Sequence, residues 1–507
     1  MWKKPVMTTE RVRTRPAEPG AQWLRPALLL VIIAGLGVVM AVVVDSPNKR
    51  LIEAVGGGLF LMVALMVHIS FSLGVLLAML PFPAGTYYGT SNEILILVLL
   101  TVYAVKQMVR REPVFRATPI DLPVALLVVA TLLSLFHEDS TFDQTVPEVR
   151  AFFSAIALYY MIVAGCSESR HVKRLMTGYL IAMTAASLVA VLQMFLPGTT
   201  LIPKFIYVKE EEEFIHYVRA AGTFENFSVF GQYMALNMIL TSYLFIRSRS
   251  IHGKVLYVGL LALACGTFLS SAMRGALFTM AAGLIYLAVM GRHQVKLREW
   301  ATMLVMIVVL LVFLTGVMLA YLGTGYLFER FRGFSLEYGS PTSRKDMNLY
   351  FLREALDYPF VGHGPHINVE VGIGGARSVN PHCQYIRYFY TIGLIGLAGF
   401  VWAMVNLFRY SLRAVRSRAG PDPWSQAMVV VFHTMFVVFA LHELVDDYMQ
   451  VRLYQHIVWS IFGILVVLSR LVLEDESSPS GAQGVSLLRE GAAPGIVKGF
   501  PPTRRRV

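Results

Sequence analysis

The chain has 507 residues, of which 56% are hydrophobic and only 15% are charged, whereas a soluble domain carries roughly 25% charged residues. This composition excludes a disordered chain and a soluble enzyme. The apolar residues form continuous runs of about 17 to 22 residues, which excludes the alternating strands of a transmembrane β-barrel. The net charge of +12 is explained by basic loops at the cytoplasmic face of a membrane protein, so we expect no nucleic-acid partner.

Fourteen apolar runs predict membrane-spanning helices. The run 51–80 contains two of them, but it could also be one long tilted helix, and both of its short runs could be re-entrant, which would leave twelve spans. We therefore predict an all-α, polytopic integral membrane helical bundle with 12–14 transmembrane helices. The runs are 26–44, 51–67, 69–80, 94–108, 120–136, 151–166, 175–195, 227–246, 255–271, 275–290, 300–322, 389–408, 424–441 and 455–470.

The distribution of positive charge predicts the orientation of the bundle. With the N-terminus inside, 29 of the 44 Lys and Arg residues lie in or beside inner segments and 15 in or beside outer ones, as the positive-inside rule requires. The first run lacks a small-residue cleavage site and is interpreted as a retained signal anchor. We thus predict a bundle over 26–470 between two cytoplasmic tails, a basic one at 1–25 and a disordered one at 471–507.

Two outer segments, 196–226 and 323–388, are much longer than the inner loops. Long loops without repeats are usually functional, so we expect the chemistry on the extracytoplasmic face. Nucleoside triphosphates are not available there, which favours substrates that arrive already activated.

Arginines in these outer positions run against the charge bias. Arg274 is the sharpest case, because it lies in a tight turn between two apolar runs, where an ionisable side chain usually faces a cavity or a partner. The planar guanidinium fork suits phosphate oxygens, so the set predicts a phosphate or pyrophosphate ligand. Snorkelling at the membrane interface and structural ion pairs are the alternatives. The set consists of Arg219, Arg274, Arg344, Arg353, Arg377 and Arg387.

Histidines of the larger outer segment are candidates for proton transfer. His382 lies just before the next apolar run, over the membrane mouth, where it could deprotonate a hydroxyl nucleophile or serve as a structural hydrogen-bonding group. His363, His366 and Glu370 could be read as a metal-ligand set, but the glycines and proline among them interrupt the helix that this spacing needs. We therefore predict no metal site.

Three stretches of the sequence resemble the O-antigen ligase and O-antigen polymerase superfamily of bacterial membrane glycosyltransferases. They are 219–227 with Gly-Thr-Phe and Asn, 271–277 with its Met-Arg-Gly turn, and 343–396 with an Arg, a Pro-Phe-Val-Gly-His-Gly series and a His. The likeness extends over 219–399. It departs from the family pattern at Tyr350, where the family has Trp, and at Cys383, where it has Asn.

The resemblance implies a donor glycan on undecaprenyl pyrophosphate, an acceptor hydroxyl, and neither a cofactor nor a metal. It implies catalytic roles for three residues: Arg274 and Arg344 would hold the pyrophosphate, and His382 would orient or deprotonate the acceptor hydroxyl. Residues predicted to bind substrate are Arg219, Arg353, Arg377, Gly362 and Gly364.

The function we expect is that of a polysaccharide polymerase for O-antigen or exopolysaccharide, because a genome can carry several polymerases and typically needs one ligase. The alternatives are an O-antigen ligase that transfers the glycan to lipid A core, and a flippase for the same lipid-linked sugar. We expect the protein in the bacterial inner membrane, surrounded by membrane lipids, with a periplasmic active site under the loop 323–388. A chain-length regulator and a flippase of the same pathway are the expected protein partners.

Overall fold

The structure is a computed structural model that describes residues 64–81, 91–111, 114–137, 142–195, 220–224, 226–271, 273–322, 341–367, 371–373, 376–378, 380–417 and 422–477. The chain divides into two compact units, residues 1–66 and 67–507. Of the first unit, only residues 64–66 are described, and they are helical. The predicted runs 26–44 and most of 51–67 lie outside the described residues.

The described part of the second unit is built almost entirely from helices. In chain order they are α1 (Ile69–Met79), α2 (Ser91–Arg110), α3 (Asp121–Ser134), α4 (Phe142–Gly165), α5 (Ser169–Phe195), α6 (Phe227–Arg247), α7 (Ile251–Ser271), α8 (Arg274–Gly291), α9 (Leu297–Leu322), α10 (Pro341–Glu354), α11 (Gln384–Arg416), α12 (Pro423–His442) and α13 (Arg452–Ser477). A 3₁₀ turn, Tyr448–Gln450, precedes α13, and two short antiparallel strands, β1 (Val371–Ile373) and β2 (Ala376–Ser378), precede α11.

Ten of these helices are long and apolar enough to cross a membrane, and α1 and α3 are shorter apolar helices. Together they coincide with the twelve predicted runs from 69–80 onward. The prediction of a polytopic helical membrane bundle is thereby confirmed, and the protein is a multi-pass membrane protein.

The helical conformation is interrupted between the two short runs of segment 51–80. Residues 64–66 are helical, Val67 and His68 are not, and His68 has an extended backbone at φ −65° and ψ 139°. Its imidazole accepts a hydrogen bond from the backbone N–H of Ser70 and so caps α1. A single continuous helix over 51–80 is thus excluded.

The centre of the bundle is formed by α6 and α13, whose apolar spans are each 89% buried, whereas that of α9 is only 17% buried. Around this centre, α13 packs on α4 and α12, α6 on α7, and α3 on α11. Helices α1 and α5 approach most closely at two glycines, where a side chain on Gly178 would overlap the carbonyl of Gly74.

Among the described residues of the segment 323–388, helix α10 is one that the hydrophobic pattern does not predict. It packs on the start of α11 through Met347 and Phe351, and Phe351 makes an edge-to-face contact with Tyr390 at 5.0 Å. This small core fixes α10 at the end of the bundle, where its polar face meets the connection between α12 and α13.

Candidate active site

The centre of the candidate site is Asp446, in the connection between α12 and α13. Its side chain is only 6% exposed. The hydroxyl of Tyr448 donates a hydrogen bond of 3.2 Å to Oδ2, and Nε2 of His442 lies 3.9 Å from the same oxygen. A carboxylate so deeply buried needs partners of this kind, and the remaining ones come from more distant parts of the chain.

The first distant partner is Arg344 on α10. Its guanidinium lies 3.8 Å from Oδ1 of Asp446 and donates a hydrogen bond of 3.3 Å to the carbonyl of Val445. The side chain is 44% exposed. A guanidinium has five N–H donors, so this anchored, half-exposed group can still grip an anion from outside.

The second distant partner is His382, just before α11. Its Nδ1 lies 3.5 Å from Oδ1 of Asp446, the oxygen that Arg344 also faces. The backbone N–H of His382 donates a hydrogen bond of 2.8 Å to the side chain of Asn348. Because Asn348 is one helical turn after Arg344, the same face of α10 positions both the arginine and the histidine.

The start of α8 completes the site. Arg274 is its first residue and is exposed. A Cβ built on the following residue, Gly275, would lie 3.5 Å from the ring of His442 and 3.8 Å from Oδ2 of Asp446. The positive end of the α8 dipole therefore lies at the carboxylate, and Arg274 is the residue directly before Gly275.

A layer of buried acids lies behind Asp446. Burial raises the pKa of Glu443 well above its usual range, and the neighbouring Asp447 and Asp446 raise it further. Burial also raises the pKa of Asp447 to about 8, and this effect outweighs the opposing charge of Arg387 at 3.5 Å. Burial and the neighbouring carboxylates thus favour the neutral form of Glu443, which limits the negative charge that accumulates around Asp446.

Residues 258–401 match the family model described as O-antigen ligase. The matched stretch contains Arg344 and His382, which lie beside Asp446, and Arg274, the first residue of α8. This stretch is similar to an O-antigen ligase domain. The match confirms the resemblance of this stretch to the ligase and polymerase superfamily, and it indicates a function of the ligase or polymerase type. No curated protein matches the chain.

Two glycines of the matched stretch, Gly362 and Gly364, lie against a break in α11. Gly393 has φ 67° inside that helix, and Gly362 has φ 73°. A Cβ on Gly362 would lie 2.5 Å from the carbonyl of Thr391. The segment pairs with the break through backbone hydrogen bonds, from Gly364 N to Thr391 O at 3.0 Å and from Leu394 N to Pro359 O at 2.7 Å. The geometry thus gives Gly362 and Gly364 a packing role, and their predicted contact with substrate stays a prediction.

Among the other predicted arginines, Arg353 lies away from Asp446. Arg353 is exposed in the last turn of α10, nine residues from Arg344, which places it on about the opposite side of that helix. The backbone of Arg377 lies in β2, paired with Gly372. Arg219 lies outside the described residues. Arg387, by contrast, is buried behind the site, where it donates to Asn380 at 2.7 Å and Gln450 at 2.9 Å.

The two further histidines of the large segment are held apart. His363 stacks on Tyr390 at 4.4 Å and its Nε2 donates to the carbonyl of Glu354 at 2.9 Å. His366 lies 4.0 Å from Glu148. Within the described residues, no group of three His, Cys, Asp or Glu side chains forms a metal site.

The sequence analysis missed Asp446 and the residues around it. The signal was present as His-Glu-Leu-Val-Asp-Asp, residues 442–447, which places three carboxylates and an imidazole directly after an apolar run. Acidic residues agree with the charge bias that is predicted for an outer loop, so the bias does not distinguish these residues. Asp446 also lies beyond the end of the matched O-antigen ligase domain.

Proposed function

We propose that the protein transfers a glycan from undecaprenyl pyrophosphate to an acceptor hydroxyl at the periplasmic face of the bacterial inner membrane, and that it acts as a polysaccharide polymerase. The observation that carries this proposal is the convergence of Arg344 and His382 on Asp446, beside the start of α8. A base and a cation are fixed there by one carboxylate, in a chain with a stretch similar to an O-antigen ligase domain.

His382 acts as the general base. With its Nδ1 held toward Asp446, the neutral ring carries its proton on Nδ1 and presents Nε2 as the acceptor. Nε2 takes the proton of the acceptor hydroxyl while that oxygen attacks the anomeric carbon of the donor sugar. The bond from this carbon to the pyrophosphate oxygen breaks, and its electron pair leaves with the undecaprenyl pyrophosphate. Asp446 stabilises the imidazolium that results.

Arg344 and Arg274 bind the leaving pyrophosphate. Negative charge grows on its bridging oxygen as the bond breaks, and fixed cations at that point stabilise the transition state more than the ground state. The half-exposed Arg344 and the exposed first residue of α8 supply this charge, and in this mechanism they take the place of a metal ion.

The acceptor distinguishes the polymerase from its alternatives. A polymerase adds the growing lipid-linked glycan to the next repeat unit, and an O-antigen ligase would use the same residues with lipid A core as acceptor. A flippase would place its polar residues near mid-membrane, whereas the residues described above cluster at one end of the helices. A chain-length regulator and a flippase would serve the polymerase in the same pathway.

The test is the glycan profile of a deletion strain that is complemented with wild type, Arg344→Ala or Lys345→Ala. Lys345 is the exposed neighbour on α10 and is the matched control. We expect Lys345→Ala to restore long chains and Arg344→Ala to leave single repeats on lipid A core. Long chains that remain on the undecaprenyl carrier, together with bare core, would identify a ligase instead. An unchanged profile with Arg344→Ala would contradict the proposed role of the pyrophosphate site.

A further inference from the structure

A cavity of about 270 Å³ lies at the opposite end of the bundle from Asp446. The two ends are joined by α13, which begins next to the 3₁₀ turn of the candidate active site. Near the other end of α13, Arg470 donates hydrogen bonds to the carbonyls of Val163 and Cys166, at the end of α4. The cavity is formed there, between the start of α1, the end of α2, the end of α4 and the start of α5.

The walls of this cavity are strongly basic. Its lining includes three cationic side chains, Lys106, Arg116 and Arg170, and a single carboxylate, Glu168. That carboxylate already lies 2.5 Å from the guanidinium of Arg170 and is balanced by it. Lys106 is fixed at the wall by a hydrogen bond of 2.7 Å to the carbonyl of Val67. The lining thus contains more cationic than acidic side chains.

Two histidines add hydrogen-bond donors to the same wall. His68 and His171 stack with their ring centroids 4.2 Å apart. In each ring Nδ1 accepts a backbone N–H, from Ser70 for His68 and from Ser167 for His171, both at 3.2 Å. A neutral ring held in this way carries its proton on Nε2 and is a donor at that atom.

The backbone contributes positive potential as well. The lining contains the residues at the start of α1 and at the start of α5. Helix N-termini favour anions because their first N–H groups and their dipoles point toward the end of the helix. Side chains and backbone therefore act in the same direction, and a basic pocket between membrane helices suits an anionic headgroup.

We propose that this cavity is a binding site for a phosphate-bearing anion, separate from the glycan-transfer site. Arg116 and Arg170 at its exposed edge bind the phosphate oxygens, and Lys106 with the two histidines lines the interior. The volume is close to the lower limit of small-molecule sites, about 300 Å³, and it accommodates one phosphate with a small polar substituent. The phosphate can come from an anionic phospholipid or from a free phosphate compound.

The test measures binding to the purified full chain in detergent, by thermal shift and by native mass spectrometry. The probes are phosphatidylglycerol, zwitterionic phosphatidylcholine and inorganic phosphate. The variants are Arg116→Gln and the double variant Arg116→Gln/Arg170→Gln, both on exposed side chains. Lys254→Gln is the control, because Lys254 is exposed at the start of α7 and lies outside the cavity lining. This substitution removes the same charge as Arg116→Gln.

We expect saturable binding of an anionic probe that Arg116→Gln weakens about tenfold, the double variant more strongly, and Lys254→Gln not at all. Binding of phosphatidylglycerol that inorganic phosphate displaces would identify a lipid source. Binding of inorganic phosphate alone would identify a free phosphate compound. The proposal is overturned if no anionic probe binds saturably, or if Arg116→Gln and Lys254→Gln weaken binding equally.

Discussion

The family-like stretch 343–396 contains two kinds of residues that differ in their structural role. Arg344 and His382 direct their side chains to one buried carboxylate, Asp446. Gly362 packs closely against the break in α11, and Gly364 donates a backbone hydrogen bond to Thr391 at that break. A motif can therefore combine residues that carry chemistry with residues that position them, and only the contacts separate the two kinds.

The largest effect is expected where the motif acts through its backbone. Gly362→Ala would place a Cβ 2.5 Å from the Thr391 carbonyl at a φ of 73°, and neither the space nor the backbone conformation allows a side chain there. We expect this variant to be less abundant in the membrane than wild type and to unfold at a lower temperature in detergent. A stable Gly362→Ala protein that has lost only substrate affinity would contradict the packing role.

The next effect is expected where the motif acts through chemistry. His382→Ala should lower glycan transfer by about 10² to 10⁴-fold, the usual contribution of a general base, and leave thermal unfolding unchanged. The measurement is transfer by equal amounts of folded protein. His252→Ala, which removes an exposed histidine at the start of α7, is the control and should transfer normally.

Asp446→Asn separates positioning from packing. The amide is similar in size but removes the charge that holds His382 and Arg344, so we expect transfer to fall by about ten- to a hundredfold with a shifted pH profile. Steady-state rates between pH 5 and 9 check this. If the rate and its pH dependence both matched wild type, Asp446 would have no role in positioning.

The buried acid behind the site gives the smallest effect. Because the pKa of Asp447 is raised to about 8 in the folded protein, the unfolded chain loses this proton at lower pH than the folded chain does. The stability of the folded state should therefore decrease as pH rises from about 4 to 8. The side chain of Asp447→Asn has no proton to lose. The melting temperature of this variant, relative to that of wild type, should therefore rise between pH 5 and pH 8. Parallel curves would show that Asp447 is already ionised.

Much of the fold could be predicted from the sequence, because a membrane imposes long apolar runs that composition reveals directly. Helix α10 was not predicted, because it is polar and its position depends on the contact of Met347 and Phe351 with α11. The break at Gly393 was not predicted either, because a glycine in an apolar run gives no sign that a distant segment packs against it. Both features depend on tertiary contacts between separate stretches of the chain.

The candidate site was predictable in its arginines and in His382, but not in Asp446. Arg274 and Arg344 can be identified as candidates because they oppose the charge bias that is expected for the outer face. Asp446 agrees with that bias, and its importance comes from the residues that the fold brings to it. An arginine that opposes the charge bias can be recognised in a single sequence. A carboxylate that positions other side chains can be recognised only from the contacts in the folded structure.

The most direct test of the central claim is the release of undecaprenyl pyrophosphate by the purified protein from an undecaprenyl-pyrophosphate-linked glycan, in the presence of acceptor. We predict that wild type and Lys345→Ala release it together with an elongated or transferred glycan, and that Arg344→Ala and His382→Ala do not. Release at the wild-type rate by His382→Ala, in a folded protein, would contradict the account.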